Sequence, residues 1–190
     1  IVLSSYMRSF FNIQDFPKRY PFVASVRSGK VIGGGDWAED RLIPDIVRSI
    51  FESGEKVIIR NPDFIRPWQY VLEPLAGYLM LAKCLYEGKR DYSGAWNFGP
   101  LDKNYVSVRV IAEKTSQIVG HPLGDFYEVK QDNTKHESAI LKLHIGKAKK
   151  TLGWTPQYAI DQALSLTFEW YTYFYEKKDY ESALKVFNKA

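Results

Sequence analysis

Phe22, Val23, Ala24, Val26, Val31 and Ile32 form a β-rich apolar run with little alternation, which predicts one long strand, Val23 to Ile32, buried on both faces of a parallel sheet. The run breaks at Gly33, Gly34 and Gly35, where positive φ and a close backbone approach to a ligand become available. A helix is then predicted to open at Asp40, with Pro44 in its early turns, because Leu42, Ile43, Ile46, Val47, Ile50 and Phe51 recur at helical intervals and Gly54 supplies a stop. In open α/β sheets, ligands bind at the carboxyl ends of strands in such loops, and Arg41 beside the helix entrance suits an anion such as a diphosphate. A tight connection with no ligand has the same spelling.

Residues 2 to 12 read as the end of an amphipathic helix, and Asn12 to Pro21 as a connector. Val57 to Ile59 forms a short strand, and Ile65 to Val71 an extended piece whose Pro67 argues against a central, fully paired position. A helix from Glu73 and Pro74 to Glu87 is expected to turn Leu75, Tyr78, Leu79, Leu81, Ala82 and Leu85 inward and to end at Gly88. Ala95 to Gly99 is a brief strand, and Ser107 caps a helix carrying Val110, Ile111 and Ile118 toward Gly120. Phe126 to Val129 and Ala139 to Leu143 read as short strands around a polar stretch, Gly146 to Leu152 as a short basic helix, and Ile160 to Lys177 as a long aromatic one. The layout is an α/β sheet giving way to a smaller α+β lobe, with a cleft between them.

At 190 residues and 45% hydrophobic content the chain is long enough for one domain or one and a half. Its net charge of +4 is spread among interspersed signs, which favours anionic ligands mildly and gives no nucleic-acid patch. The lone Cys84 lies in an apolar helical pattern, so no disulfide forms within the chain and a reducing cytoplasm is expected. No apolar run approaches the roughly 20 residues of a membrane span, and no secretory signal pattern opens the sequence. Ile1 is not an initiator methionine, so the sequence is expected to start inside a fold whose N-terminal half lies upstream.

Candidate chemistry is selective. His121, His136 and His144 accompany no G-x-S-x-G elbow and no helical metal-ligand pairing, so neither a hydrolytic triad nor a metal site is assigned. His136 with Glu137 also reads as a solvated surface pair. Arg41, Arg60 and Arg66 stand at strand or helix edges, where guanidinium groups reach oxygens bidentately; ordinary salt-bridging is the alternative. Trp68, Tyr70, Trp96 and Phe98 read as core rather than as stacking platforms. The G-x-G-x-x-G and G-x-x-x-x-G-K-[ST] phosphate loops are absent, and no Tyr-x-x-x-Lys pair is expected anywhere in the chain.

Val-Arg-Ser-Gly-Lys-Val-Ile-Gly-Gly-Gly-Asp-Trp (26 to 37), Arg-Leu-Ile-Pro-Asp (41 to 45), Ile-Arg-Asn-Pro (59 to 62), Ile-Arg-Pro-Trp-Gln-Tyr-Val-Leu-Glu-Pro-Leu (65 to 75), Trp-Asn-Phe-Gly-Pro (96 to 100) and Leu-Gly-Trp-Thr-Pro (152 to 156) together resemble the CDP-glucose 4,6-dehydratase family of the extended short-chain dehydrogenase/reductase superfamily. The resemblance implies the C-terminal part of that α/β fold. Residues 1–35 would be the last helix and strand of a Rossmann-like NAD-binding domain, and 36–190 the nucleotide-sugar lobe. It implies a lyase of deoxysugar and O-antigen biosynthesis in which NAD takes hydride from C4 of CDP-glucose, water leaves across C5 and C6, and the hydride returns to C6. Carried onto this sequence, Arg41 and Arg66 face the diphosphate, Asn97 and His136 line the same cleft, Arg60 lies near the ribose or base, and Lys30 and Val31 pass close to the cofactor. The catalytic tyrosine and lysine and the glycine fingerprint would lie upstream of Ile1, and a homodimer is implied. Two departures stand out: Lys30 replaces the usual Asn, and His144 the usual Asp. A related nucleotide-sugar epimerase and a non-catalytic nucleotide-sugar-binding remnant are the rival expectations.

Overall fold

A computed structural model describes residues 2–15, 22–130 and 138–189. The chain opens with helix α1 (Val2–Phe10), which matches the expected amphipathic element but buries none of its residues. The predicted long strand is two strands. β1 (Ala24–Ser28) runs parallel to β5 (Gly94–Phe98), whereas β2 (Lys30–Ile32) runs parallel to β4 (Ile65–Tyr70). Gly29 makes the break: a Cβ there would lie 2.2 Å from the Pro67 carbonyl oxygen, an approach that only glycine permits, and the chain passes from one sheet to the other at this point. Nor is the run buried on both faces, since β1 pairs on one side only among the described residues and Val26 is 39% exposed.

The central element is β4, contrary to the expectation from Pro67. It lies between β2 and β6 (Tyr105–Ser107), and Arg66 to Tyr70 are all buried. Ile65 to Pro67 pair antiparallel with β6, and Trp68 to Tyr70 pair parallel with β2, so the proline with its missing N–H falls at the join between two ladders. A third pairing joins β3 (Val57–Ile59) and β7 (Tyr127–Val129) in parallel. Ala139 to Leu143 is not a strand; a single parallel bridge, Ile65 to Ile140, ties it to β4. Phe126 ends the short helix α5 (Leu123–Phe126) rather than beginning a strand.

Helix α2 is Leu42–Arg48, prolonged by a π turn to Ser53 and stopped by Gly54 in the left-handed conformation. It opens later than expected. Arg41 is its N-cap, and Asp40 carries a positive φ of 59° outside it. Helix α4 (Val108–Val119) ends as its sequence signals predict: Ser107 Oγ accepts from Val110 N–H, and Gly120 is left-handed. Helix α3 (Leu72–Tyr86) buries Glu73, Pro74, Gly77 and Leu81, while Leu79 is 73% exposed and Leu75 also faces outward. Apolar residues surround this helix almost completely, so their spacing does not single out the buried face.

Two cores result. The larger joins α2, β4 and α4 with α6 (Ile160–Tyr175) and α7 (Tyr180–Val186), through Ile46, Val47, Tyr70, Ile111, Leu164, Phe168 and Val186. The smaller sets Trp96 and Phe98 of β5 against Leu81, Leu152 and Trp154. Trp68, Tyr70, Trp96 and Phe98 are thus core residues, as their sequence reading held. The approach to α6 is fixed by two buried polar side chains. Asn104 donates to Tyr158 O (2.8 Å) and accepts from Ile160 N (2.9 Å), and Glu73 accepts from Gln157 N and Tyr158 N. Helix α7 has no counterpart in the sequence reading; Asp179 caps it by accepting from Ser182 N.

Candidate functional site

A cavity of about 580 Å³ opens between β2, the entrance to α2, β3 with Arg60 and Asn61, and the start of β4. Lys30, Val31, Arg41, Arg60 and Arg66 all line it, together with Phe64 and Trp68. Strand alternation explains part of this grouping: Arg66 and Trp68 are two residues apart on β4 and so share a face. The Lys30 and Arg60 side chains are exposed and form no hydrogen bond or ion pair among the described residues. Asp36, Asp40 and Asp45 are the acidic lining residues, and Asp36 and Asp45 are each paired with an arginine. The arrangement presents excess positive charge to the cavity.

Arg66 is 5% exposed and fastens the backbone: its Nη1 donates to Ile65 O (3.0 Å), Ser138 O (2.9 Å) and Ala139 O (3.4 Å), and its guanidinium lies 5.0 Å from the Phe64 ring centroid. The same join is sealed by Ile65 N donating to Ala139 O and Leu141 N donating to Ile65 O. Arg66 therefore holds the segment that follows residue 137 against β4. Asn97 sits elsewhere, on β5, where its Nδ2 donates to His144 O at 3.2 Å, and it does not line the cavity. His136 lies outside the described residues.

Packing accounts for Gly33 and Gly34 in the glycine loop. A Cβ on Gly34 would fall 2.1 Å from Trp170 Cγ, and one on Gly33 would fall 2.6 Å from Val71 Cγ1; Gly35 adopts φ +78°. Trp37 then wedges against Trp170, Tyr171, Phe174 and Tyr175, with ring centroids 5.1 to 6.2 Å apart. Two further side chains hold the loop. The Tyr171 hydroxyl donates to Asp36 O (2.8 Å) and accepts from Asp36 N (3.1 Å), while Arg48 donates to Trp37 O (3.1 Å) and Ala38 O (3.4 Å) and pairs with Asp45. Asp36 in turn accepts from Ala38 N through Oδ1 and from Arg41 Nη1 through Oδ2, both at 3.1 Å.

Burial pushes the Asp45 carboxyl above its ordinary range, against the pull of Arg48. Burial also drives the Tyr171 hydroxyl up to about 12, so it remains a neutral donor and acceptor at physiological pH. Sequence reasoning missed Asp36, Arg48, Phe64 and Tyr171. Asp36 is legible in principle as an Asx residue after a glycine loop, whereas nothing in the aromatic run of α6 marks Tyr171.

One Tyr-x-x-x-Lys spacing does occur, from Tyr173 to Lys177, which corrects the expectation that the chain holds none. It is at the end of α6, with the Lys177 ammonium 4.4 Å from the Tyr173 ring centroid and neither residue lining the cavity, so it is a packing pair. Among the described residues there is no group of three or more His, Cys, Asp or Glu placed to hold a metal, and no helix is long and apolar enough to cross a membrane. The guanidinium and ammonium groups of the lining are of a kind that suits an anion with several charged oxygens.

No protein-family model matches the chain. It is 44% identical over 171 residues to CDP-glucose 4,6-dehydratase of Salmonella typhimurium, a match that takes in 90% of this chain and 47% of that protein. Among solved structures, dTDP-glucose 4,6-dehydratase from Bacillus anthracis in complex with NAD superposes with a TM-score of 0.68 at 19% identity, over 96% of this chain and 51% of that one. UDP-glucuronic acid 4-epimerase from Bacillus cereus in complex with UDP-glucuronic acid and NAD gives 0.71 at 17% identity, over 90% and 49%. The chain spans about half the length of each of these relatives. The fold is that of part of an extended short-chain dehydrogenase/reductase, as the sequence resemblance implied.

Proposed function

We propose that this chain is the C-terminal, nucleotide-sugar-binding portion of a CDP-glucose 4,6-dehydratase, which converts CDP-glucose to CDP-4-dehydro-6-deoxyglucose for deoxysugar and O-antigen biosynthesis. The observation that carries the proposal is the cavity in which Lys30, Arg41, Arg60 and Arg66 converge beside three aspartates, with the Lys30 and Arg60 side chains in no ion pair among the described residues. Its volume lies in the usual range for small-ligand sites. In this reading Arg41 meets the diphosphate and Arg60 lies toward the ribose or base. Arg66 joins the diphosphate wall while fastening residues 138 and 139. By the resemblance, Asn97 and His136 are assigned to the same cleft.

In this reading Lys30 and half-buried Val31, which face the cavity, form one edge of an NAD site. When bound, NAD supplies the hydride acceptor and donor for oxidation at C4 and reduction at C6 of the sugar. This chain's own contribution is to bind and orient the nucleotide sugar so that its hexose projects toward that edge. In the proposal, residues 1–35 complete the NAD-binding domain, 36–190 form the sugar-nucleotide lobe, and the whole protein acts as a cytoplasmic homodimer. A nucleotide-sugar epimerase is the second reading, since the fold is common to epimerases and dehydratases.

A thermal-shift titration with CDP, UDP, dTDP and GDP tests the proposal, because a ligand that binds only the folded state raises its apparent stability. The expected result is a rise with CDP larger than with the other three. A larger rise with UDP supports the epimerase reading, and no rise with any of them overturns nucleotide binding by this chain.

A further inference from the structure

Arg41 is largely exposed, and what fixes its position is a relay of hydrogen bonds that ends on a helix remote in sequence. Its Nη1 donates to Asp36 Oδ2 at 3.1 Å. The Asp36 carboxylate is oriented in turn by Ala38 N on Oδ1, and its backbone is gripped at both polar groups by one hydroxyl, that of Tyr171. That residue is fully buried on α6, 135 positions away, and its ring packs edge-on against Trp37 at 5.5 Å and Trp170 at 5.2 Å. Among the described residues, no other side chain bonds the Asp36 backbone. Arg48 holds only the following carbonyls, those of Trp37 and Ala38.

We propose that Tyr171 is a positioning residue for anion binding, acting through Asp36 to hold Arg41 at the rim of the cavity for the diphosphate of the ligand. The inference rests on the reading of the cavity as a nucleotide diphosphate site. It makes the hydroxyl, not the ring, the functional part of Tyr171. The ring belongs to the aromatic packing of α6 and survives replacement by phenylalanine. The hydroxyl has no packing role, and its two bonds both go to Asp36.

The test is a double-mutant cycle in the full-length protein, with Tyr171→Phe, Arg41→Gln and the combined variant, titrated calorimetrically with CDP and with inorganic diphosphate. Arg41→Gln removes a charge-assisted contact and should weaken CDP binding roughly tenfold. Tyr171→Phe should weaken both probes by about fivefold in the Arg41 background, with no further weakening once Arg41 is gone, because residues that act through one another are non-additive. Equal weakening by Tyr171→Phe in both backgrounds shows a merely structural role and overturns the inference, as does unchanged binding. Tyr171-dependent binding of diphosphate without binding of CDP upholds the relay and overturns the nucleotide reading. Absence of binding by either probe to the unmodified protein overturns both.

Discussion

Replacing Gly34 with alanine separates the two explanations of the glycine loop. If the glycines serve a ligand, Gly34→Ala alters binding and leaves the fold unharmed; the structure instead predicts a damaged core. The new methyl would lie 2.1 Å from Trp170 Cγ, 2.3 Å from Cδ2 and 2.6 Å from Cβ. Ordinary carbon contacts are about 3.5–4.0 Å, so a displacement of well over an ångström is needed. Trp170 cannot easily supply it, being 8% exposed and stacked on Phe174 with centroids 5.2 Å apart. The φ of Gly34 lies outside the left-handed window, so the backbone accepts alanine and the whole cost is steric. Overpacking of this kind costs about 1–3 kcal/mol, which for a chain of this size lowers Tm by roughly 2–10 °C. Urea denaturation of Gly34→Ala in the unmodified and Trp170→Ala backgrounds provides the measurement. The loss should be full in the first and clearly smaller in the second, where Cγ and Cδ2 are gone and only Cβ stays close, a coupling of about 1 kcal/mol or more. Equal losses in both backgrounds, or no loss in either, would refute the packing argument.

Three further outcomes are expected. Asn104→Ala leaves the buried Ile160 N–H without the Asn104 acceptor and removes a donor from Tyr158 O, and should cost roughly 1–3 kcal/mol by thermal unfolding; a loss below about 0.5 kcal/mol would contradict this. Arg66→Lys cannot serve the carbonyls of Ile65, Ser138 and Ala139 from one ammonium, so hydrogen exchange at the Leu141 amide should quicken by about tenfold or more while that of the α4 amides stays unchanged. Burial holds the Glu73 carboxyl above its ordinary value of 4.5, against the backbone N–H groups of Tyr158 and Gln157. The folded state thus keeps this proton to higher pH than the unfolded chain does. The group favours folding most below 4.5, and that contribution fades as pH rises through the folded-state value. Glu73→Gln keeps an acceptor and abolishes the titration, so its urea midpoint should decline less from pH 4.5 to neutrality than that of the unmodified protein; parallel declines would remove Glu73 as the cause.

Much of the helical framework is legible in the sequence because caps are local. Ser107 and Gly120 bound α4, and Gly54 ends the α2 turn, each through bonds within a few residues. Asp179 offered the same kind of signal for α7 and went unread. Sheet membership was not legible, because it is decided at a distance: the break at Gly29 depends on Pro67, and the burial of Pro67 depends on β2 and β6 flanking different halves of one strand. The candidate site divides along the same line. Arg41, Arg60 and Arg66 stand out by type and flanking residues, and the structure brings them together with Lys30 and Val31. Asn97 was grouped with them by resemblance, yet it lies on β5 in the other parallel pair. The grip of Tyr171 on Asp36 spans 135 positions and leaves no trace in local sequence.

The pairing of β1 with β5 bears on how the protein acquires its structure. The Ser93 hydroxyl donates to Val23 O across 70 positions, at the head of a parallel ladder with no hairpin to zip it. Between those strands lie α2, β3, β4 and α3, so the ends must wait until most of the intervening chain has ordered or else bear the entropy of a long open loop. Early events should therefore be local, in the α6 and α7 hairpin and the capped α4. Closure of the β1 and β5 ladder should be late and slow, with unfolding starting there first. A nascent chain that has not yet reached Phe98 would carry β1 with an unsatisfied edge, the form most open to capture by other chains.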